Sequence, residues 1–158
     1  MILKDACTPD VVCCSGRTQV LEAARIMRNK HVGDLVVVDD PEDQRIPLGI
    51  VTDRDIVVDV LGKGLDPSTT SLASLMHTPV VIAHESEDTA QLIGRMRTHG
   101  VRRVPVVNQD GAVIGIMTLD DLLRILVAEV SALFEITDKG QKREQHLRRL
   151  SCATASTA

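Results

Sequence analysis

Short apolar runs alternate with amphipathic segments along the chain, and this alternation predicts a mixed α/β fold. Leu-Val-Val-Val at 35–38 and Val-Pro-Val-Val at 104–107 have the length and the β-branched composition of buried strands. Apolar residues ahead of each run recur at helical spacing, after polar, cap-like residues at 17–18 and 86–88. Each amphipathic helix is therefore predicted to turn one apolar face inward: Val20, Ala23, Ala24 and Met27 in the first, and Ala90, Ile93 and Met96 in the second.

The same order of elements occurs twice, so the chain contains an internal repeat. The corresponding stretches are T-P-D-V-V (8–12) and T-P-V-V (78–81), A-A-R-I-M-R-N-K-H-V (23–32) and L-I-G-R-M-R-T-H-G-V (92–101), and G-I-V-T-D-R-D-I (49–56) and G-I-M-T-L-D-D-L (115–122). Each copy is predicted to run strand, helix, strand, strand, helix, with its first strand at 11–13 or 80–83. One such unit cannot cover its own apolar sheet face. We therefore predict an α/β (α+β) fold of two β-α-β-β-α repeats packed sheet to sheet about a pseudo-twofold axis.

The repeat also sets the predicted domain boundaries. We expect the first repeat at 1–66, a Gly-, Ser- and Thr-rich linker at 67–71 and the second repeat at 72–133. Residues 134–158 form the end of the last helix and a basic tail, which we expect to be partly disordered. The alternative for the tail is a short amphipathic docking segment with Leu147 and Leu150 on one face.

The twin G-h-x-h-T-x-x-D stretches allow two roles. Thr-x-x-Asp before an apolar run predicts a helix start, with the Thr as N-cap and the carboxylate reaching back to the backbone. A glycine without a Cβ, at Gly49 or Gly115, would also let a ligand approach the backbone closely. Free N–H groups at a helix N-terminus favour anions. Capping and ligand binding are compatible, so both remain open at this point.

Composition excludes several classes of partner. The formal charge of −4 argues against a general affinity for nucleic acid. Phe134 is the only aromatic residue apart from histidines, so single-stranded bases have no stacking platform. No apolar run approaches the roughly 18 residues of a membrane span. The N-terminus lacks a charged region followed by an apolar stretch, so we expect a cytoplasmic protein.

No group of residues indicates catalysis or a metal site. His31 and His99 lie near helix–strand joints, where a packing role is the expectation. The sequence contains no nucleophile elbow, no zinc-protease motif and no phosphate-binding P-loop. The cysteines have no metal-ligand spacing and are expected to be free thiols in a reducing cytosol: Cys7, Cys13, Cys14 and Cys152.

With these stretches paired, the chain resembles a tandem pair of cystathionine-β-synthase (CBS) domains, known as a Bateman module. The two Thr-Pro starts, H-G-V-R-R-V-P-V-V at 99–107 and the doubled G-h-x-h-T-x-x-D carry the resemblance, which covers about residues 2–130. It implies a non-catalytic regulatory sensor of an adenosyl ligand, namely AMP, ADP, ATP, NAD or S-adenosylmethionine, acting on another protein. It also implies a homodimer.

The resemblance further implies a role for each matched residue. The ribose hydroxyls would bind Asp55 and Asp121, with Thr52 and Thr118 near ribose and phosphate. Adenine would lie against Val11, Val12, Val80 and Val81, and phosphate near Arg102 and Arg103. Because strand residues alternate faces, we expect only one of these arginines to point into a cleft. Which cleft the arginines serve, or whether they lie at a shared centre, is open.

The first repeat departs from the second at these positions. Gly33 and Asp34 stand where the second repeat has the two arginines, and Val36 stands where it has Pro105. We count Gly33, Asp34 and Pro105 among the candidate cleft residues. Because Asp34 would repel a phosphate, we expect two unequal clefts. The presence of Asp34 also supports the alternative, a structural dimerisation module that binds no nucleotide. No effector domain accompanies the repeats, so we expect a stand-alone module.

Overall fold

The computed structural model describes the backbone of residues 1–155 and the side chains of residues 1–145. The chain forms two compact units, Met1–Leu119 and Asp120–Ala158. The first unit contains both predicted sheets, and the second consists of the greater part of the last helix.

The helices and strands follow the predicted order. The first repeat comprises α1 (Leu3–Ala6), β1 (Cys13–Ser15), α2 (Val20–Lys30), β2 (Asp34–Val38), β3 (Pro47–Thr52), α3 (Asp53–Asp55) and a π-helical segment (Ile56–Leu61). A 3₁₀ turn (Leu72–Ser74) leads into β4 (Ala83–His84), α4 (Thr89–His99), β5 (Arg103–Val107), β6 (Val113–Thr118) and α5 (Leu119–Ala155).

Each repeat forms one three-stranded sheet, ordered β1-β2-β3 or β4-β5-β6. The first two strands of each sheet are parallel and the last two antiparallel. The registers correspond as well, because Asp34 lies opposite Thr52 in one sheet and Arg103 lies opposite Thr118 in the other. The predicted fold class is therefore confirmed.

The apolar positions of α2 bury as their spacing predicts, but the predicted inward face of α4 is only partly correct: Met96 is buried together with Leu92, whereas Ala90 and Ile93 are exposed. Val20, Ala23 and Met27 on α2 join Leu35, Val37 and Val51 in one core cluster. The other face of β2 packs against the second sheet in a cluster of Val36, Val38, Val107, Val113 and Ile116. The two sheets therefore pack against each other, as expected. Burial of these side chains removes apolar surface from water at about 25 cal/mol per Å².

The start of each repeat crosses onto the last strand of the other repeat. Thr8 and Ile116 exchange backbone hydrogen bonds of 2.9 Å in both directions. In the other crossing, His77 N, one residue before the Thr-Pro start of the second repeat, donates to Ile50 O at 3.4 Å. Both crossings tie together segments far apart in sequence.

These crossings correct the expectation for the motif glycines. A Cβ on Gly49 would lie 2.7 Å from Met76 Cβ, and one on Gly115 would collide with Cys7 Sγ. The space beside each glycine is therefore filled by the crossing segment of the other repeat, and not held open for a ligand.

The first strand of each repeat begins later than predicted. β1 begins at Cys13 and β4 at Ala83, so Val11, Val12, Val80 and Val81 precede the strands. Of these four valines, only Val12 forms a hydrogen bond of the kind that joins strands: its carbonyl oxygen accepts from Val36 N at 3.0 Å. The chain leaves the neighbouring strand at this point in order to reach the other repeat.

Helix α5 differs from the expected partly disordered tail, because it continues to Ala155. Its exposed surface carries i,i+4 contacts that favour a helix, such as Lys139 Nζ 3.4 Å from Glu135 Oε2. The side chains of Leu147, Leu150 and Cys152 lie outside the described residues. In the part of the chain that the structure describes, no helix is long and apolar enough to span a membrane.

Candidate functional site

A cavity of about 260 Å³ opens in the first unit, slightly below the range of about 300–1,000 Å³ typical of ligand pockets. It combines the end of β3 and the start of α3 from the first repeat with two segments of the second repeat. Its lining residues are Ile50, Thr52, Asp53, Arg54, His77, Pro79, Val80, Val81, Gly100, Val101, Arg102 and Arg103.

The apolar wall of the cavity comes from the crossing segment of the second repeat. The bridge between His77 and Ile50 lays this segment beside β3, so that Val80 and Val81 line the cavity together with Ile50. Two of the four valines predicted to line a cleft therefore meet Thr52, the motif residue of the other repeat.

Thr52 and Asp55 form the predicted capping box at the start of α3. Thr52 N and Oγ1 donate to Asp55 Oδ2 at 2.7 and 2.8 Å. Asp55 N donates in return to Thr52 Oγ1 at 3.2 Å. Burial alone would raise the pKa of Asp55, but the hydrogen bonds from Thr52 and His77 outweigh burial and lower it. The carboxylate is therefore held ionised beside the cavity.

His77 connects this capping box to the cavity. Its Nε2 lies 3.3 Å from Asp55 Oδ1, and its side chain is 75% exposed. His77 lines the cavity whereas Asp55 lies immediately behind it. A ligand hydroxyl directed at Asp55 Oδ1 would take the place of this histidine.

Three arginines give the cavity its charge. Arg54 follows the motif Thr on α3, and Arg102 and Arg103 enter from the second repeat. Both of the latter line the cavity, contrary to the expectation from strand alternation. The reason is that Arg102 precedes β5, which begins at Arg103, so the alternation does not apply to it.

One of these arginines is already paired. Arg103 Nη1 lies 3.2 Å from Asp34 Oδ1 and 3.5 Å from Gly33 O. Burial raises the pKa of Asp34, Arg103 opposes that rise, and the charge of Asp53 adds to it. Both candidate residues of the first repeat, Gly33 and Asp34, therefore contact an arginine of the second.

The balance of charge in the cavity remains positive. Asp53 is the acidic residue of the lining, and Asp34 offsets Arg103 from outside it. Arg54 and Arg102 are both exposed. An anionic group entering the cavity would therefore meet two arginines before it competes for the third.

A second, more open groove of about 710 Å³ adjoins the cavity and shares His77, Val80 and Val81 with it. Its cation, Arg95, is engaged within the protein: Nη1 donates to Ile82 O at 2.6 Å and to Glu87 Oε1 at 2.9 Å. The charge available to an anion therefore lies in the cavity and not in this groove.

The remaining candidate residues lie elsewhere. Val11 packs against the cluster between the sheets and Val12 against the core of the first repeat. Pro105 is buried in β5 opposite Ile116. Thr118 ends β6 opposite Arg103. Asp121 belongs to the second unit, where Arg124 Nη1 lies 3.8 Å from its Oδ1.

Among the lining residues that sequence reasoning missed, three have ionisable side chains: His77, Asp53 and Arg54. The position of each residue in the sequence could have indicated it. His77 directly precedes the repeat-start Thr-Pro, and the other two fill the variable positions of Thr-x-x-Asp, where the second repeat has Leu119 and Asp120.

The cysteines of the described region are free thiols. Burial raises the pKa of Cys7 and Cys13, and it raises that of Cys14 to about 11 with help from the charges of Cys13 and Glu22. Such thiols are poor nucleophiles. Within the described side chains, no group of three or more His, Cys, Asp or Glu residues is placed to hold a metal ion.

Comparison with known proteins matches the family model "CBS domain" to residues 3–62 and 72–128. Hypoxic response protein 1 of Mycobacterium tuberculosis is 32% identical over 123 residues, which cover 78% of this chain and 83% of that protein. The CBS domain-containing protein YhcV of Bacillus subtilis is 34% identical over 123 residues, 76% of this chain and 81% of that protein. The chain spans 66% of an uncharacterised Methanopyrus kandleri protein, at 31% identity and with 84% of this chain aligned.

Two solved structures show the same fold. Hypoxic Response Protein I with two coordinated zinc ions aligns with a TM-score of 0.69 at 31% identity, over 78% of this chain and 98% of that one. The CBS domain pair of protein MJ0100 in complex with 5′-methylthioadenosine and S-adenosyl-L-methionine aligns with a TM-score of 0.70 at 25% identity, over 82% and 98%.

Proposed function

The chain belongs to the CBS domain family, and we propose that it is a regulatory module that binds a phosphorylated adenosyl ligand in the cavity of the first unit. The observation that carries this proposal is the meeting of three features in one cavity. These are the hydroxyl of Thr52, whose capping partner Asp55 lies behind the lining, an apolar wall at Val80 and Val81, and a group of arginines. The adenosyl ligands of the MJ0100 structure support the class of ligand.

Each part of an adenine nucleotide has a matching surface. Adenine would lie against Val80 and Val81, since an apolar slot accepts a flat ring without aromatic partners. Asp55 would accept the ribose hydroxyls, in the way that a carboxylate holds ribose in dinucleotide folds, after displacing His77. Thr52 would lie near ribose and phosphate. We extend the same roles to Thr118 and Asp121 in the second repeat.

The charge of the cavity favours a phosphate-bearing ligand, such as AMP, ADP, ATP or NAD, over S-adenosylmethionine. Arg54 and Arg102 are exposed in the lining and would donate charge-assisted hydrogen bonds to phosphate oxygens. A sulfonium cation would meet the same arginines as like charges, with Asp53 as the acidic residue of the lining.

Regulation would arise because the ligand bridges the repeats. Thr52 belongs to the first repeat, whereas Val80 and Arg102 belong to the second. A ligand that binds one arrangement of the repeats more tightly shifts the population toward it by its difference in affinity. We propose that a partner protein responds to this shift, and that the chain works as a homodimer.

One observation favours a second candidate, a structural dimerisation module without a nucleotide. Asp34 already occupies Arg103, and the carboxylate of Asp55 is engaged by Thr52 and His77. A protein with no ligand would satisfy its polar groups internally in this way.

Thermal unfolding with AMP, ADP, ATP, NAD, S-adenosylmethionine and adenosine distinguishes the two candidates. A ligand at 100 times its Kd raises the free energy of unfolding by about 2.7 kcal/mol. We expect stabilisation by the phosphorylated ligands, lost in Arg102→Ala and retained in Arg97→Ala, a control at an exposed arginine of α4. No shift with any compound would favour the structural module.

A further inference from the structure

The two carboxylate oxygens of Asp55 have different partners. Oδ2 accepts from Thr52 N at 2.7 Å and from Thr52 Oγ1 at 2.8 Å, so the capping box uses this oxygen. Oδ1 lies 3.3 Å from His77 Nε2. The side chain of Asp55 is 14% exposed, compared with 75% for that of His77, which lines the cavity. A ligand in the cavity therefore meets the imidazole before it reaches the carboxylate.

The crossing of the repeats does not require a histidine at this position. The first repeat has Cys7 before its own Thr-Pro start, where the second repeat has His77. Each start crosses onto the last strand of the other repeat through backbone hydrogen bonds, which His77 makes from its own N–H. Because these bonds come from the main chain, the crossing forms with either side chain. The fold therefore does not account for the imidazole beside the cavity.

We propose that His77 determines the affinity and the sugar selectivity of the cavity, because it competes with the ribose hydroxyls of the ligand for Asp55 Oδ1. The inference rests on the proposed function, and it adds a residue that opposes binding to those that favour it. In the ligand-free protein the imidazole holds this oxygen. A nucleotide that uses its ribose hydroxyls must displace the imidazole, whereas a nucleotide without these hydroxyls binds with the histidine in place.

The surroundings of His77 leave space for the displaced ring. His77 lines the cavity and also the adjoining groove of about 710 Å³, so a rotation of its side chain toward the groove would uncover Asp55. The backbone hydrogen bond from His77 N to Ile50 O does not have to break during this rotation. Exposed side chains change rotamer rapidly. The competition therefore alters the dissociation constant of the ligand and adds no slow step to binding.

Isothermal titration of AMP and of dideoxy-AMP, which lacks both ribose hydroxyls, into the wild type and His77→Ala tests this competition. A contact between a carboxylate and a largely exposed side chain is weak, so we expect AMP to bind His77→Ala about 1.4- to fivefold more tightly than the wild type. Dideoxy-AMP should bind the two proteins equally. His84→Ala is the matched control, because it removes an exposed histidine that lines neither the cavity nor the groove, and it should change neither affinity.

The same titration of AMP into Asp55→Ala, with and without His77→Ala, completes a double-mutant cycle. Asp55→Ala removes the oxygen for which the imidazole and the ribose compete. Removal of the imidazole from this variant should therefore not increase the AMP affinity. Circular dichroism checks that each variant is folded.

The outcomes separate this inference from the proposed function. Equal AMP affinity in the wild type and His77→Ala would overturn the inference while the proposed function stands. An equal change for AMP and dideoxy-AMP would do the same, since His77 would then act as a wall of the cavity and not as a competitor of the ribose. A gain in AMP affinity that persists in the Asp55→Ala background would also overturn it. AMP binding to neither the wild type nor His77→Ala would contradict the proposed function, and the inference with it.

Discussion

Arg103 and Asp34 face each other across the two repeats, with Nη1 of the arginine 3.2 Å from Oδ1 of the aspartate. They occupy equivalent positions, since each lies opposite the motif threonine of its own sheet, Thr118 for Arg103 and Thr52 for Asp34. The two residues differ in charge at corresponding positions of the repeats, and they form an ion pair that joins the repeats. This pair makes any two pseudo-symmetric clefts unequal.

Asp34→Asn should increase the affinity for AMP, because it releases Arg103 toward the cavity. Partly exposed ion pairs contribute about 0.2–1 kcal/mol, so we expect a gain of about 1.4- to fivefold. Isothermal titration measures it, with Asp43→Asn at an exposed turn as the control. Equal affinity in the two variants would mean that Asp34 does not restrain Arg103.

Asp55→Asn should destabilise the fold in a pH-dependent way. The folded pKa of Asp55 is lowered, so the stability from its ionised form is present above the usual pKa of about 3.9 and lost as pH falls through the folded value. Loss of the capping box should cost about 1 kcal/mol at pH 7. Urea unfolding from pH 7 to pH 3 should show the difference from wild type shrinking below about pH 4. A difference in the free energy of unfolding that stays constant with pH would show that the charge of the Asp55 carboxylate does not contribute to stability.

Gly49→Ala should destabilise the first unit, because the new Cβ would lie 2.7 Å from Met76 Cβ. Overpacking of this kind costs about 1–3 kcal/mol. Gly94 provides the opposite control: it lies in α4, and a Cβ there meets nothing within 4 Å. Gly94→Ala should therefore stabilise by about 0.5–1 kcal/mol. The two midpoints of thermal unfolding should move in opposite directions, and a common direction would contradict the crossing geometry.

Cys14 should resist alkylation in the folded protein. Its pKa is raised to about 11 by burial and by the charges of Cys13 and Glu22, so the reactive thiolate is scarce at pH 7. Mass spectrometry after iodoacetamide treatment should find Cys14 unmodified in the native protein and modified after denaturation. Rapid native labelling at pH 7 would contradict the buried position.

Local patterns predicted the fold well, because the features that set it are close together in sequence. The spacing of Val20, Ala23 and Met27 determines the buried face of α2. The pairing of Thr52 with Asp55 spans three residues, and its capping box is as the sequence predicted. The repeat then predicted two sheets packed face to face.

The cavity was harder to predict, because it is made by contacts distant in sequence. The crossing of His77 onto Ile50 brings the second repeat's start beside the first repeat's motif, which no local pattern reveals. The pairing of Arg103 with Asp34 joins positions 69 apart, and neither residue alone indicates its partner. The need for glycine at the motif positions is also non-local, because the crossing near His77 crowds Gly49 and the crossing near Thr8 crowds Gly115.

Isothermal titration of AMP and adenosine into the wild type and Arg102→Ala tests the central claim most directly. If the arginines of the cavity bind phosphate, AMP should bind the wild type and lose about tenfold or more in affinity in the variant, since a hydrogen bond to a charged group contributes about 1.5–3 kcal/mol. Adenosine, which lacks the phosphate, should bind both proteins equally. Absence of AMP binding to the wild type, or equal AMP affinity in the two proteins, would contradict the claim.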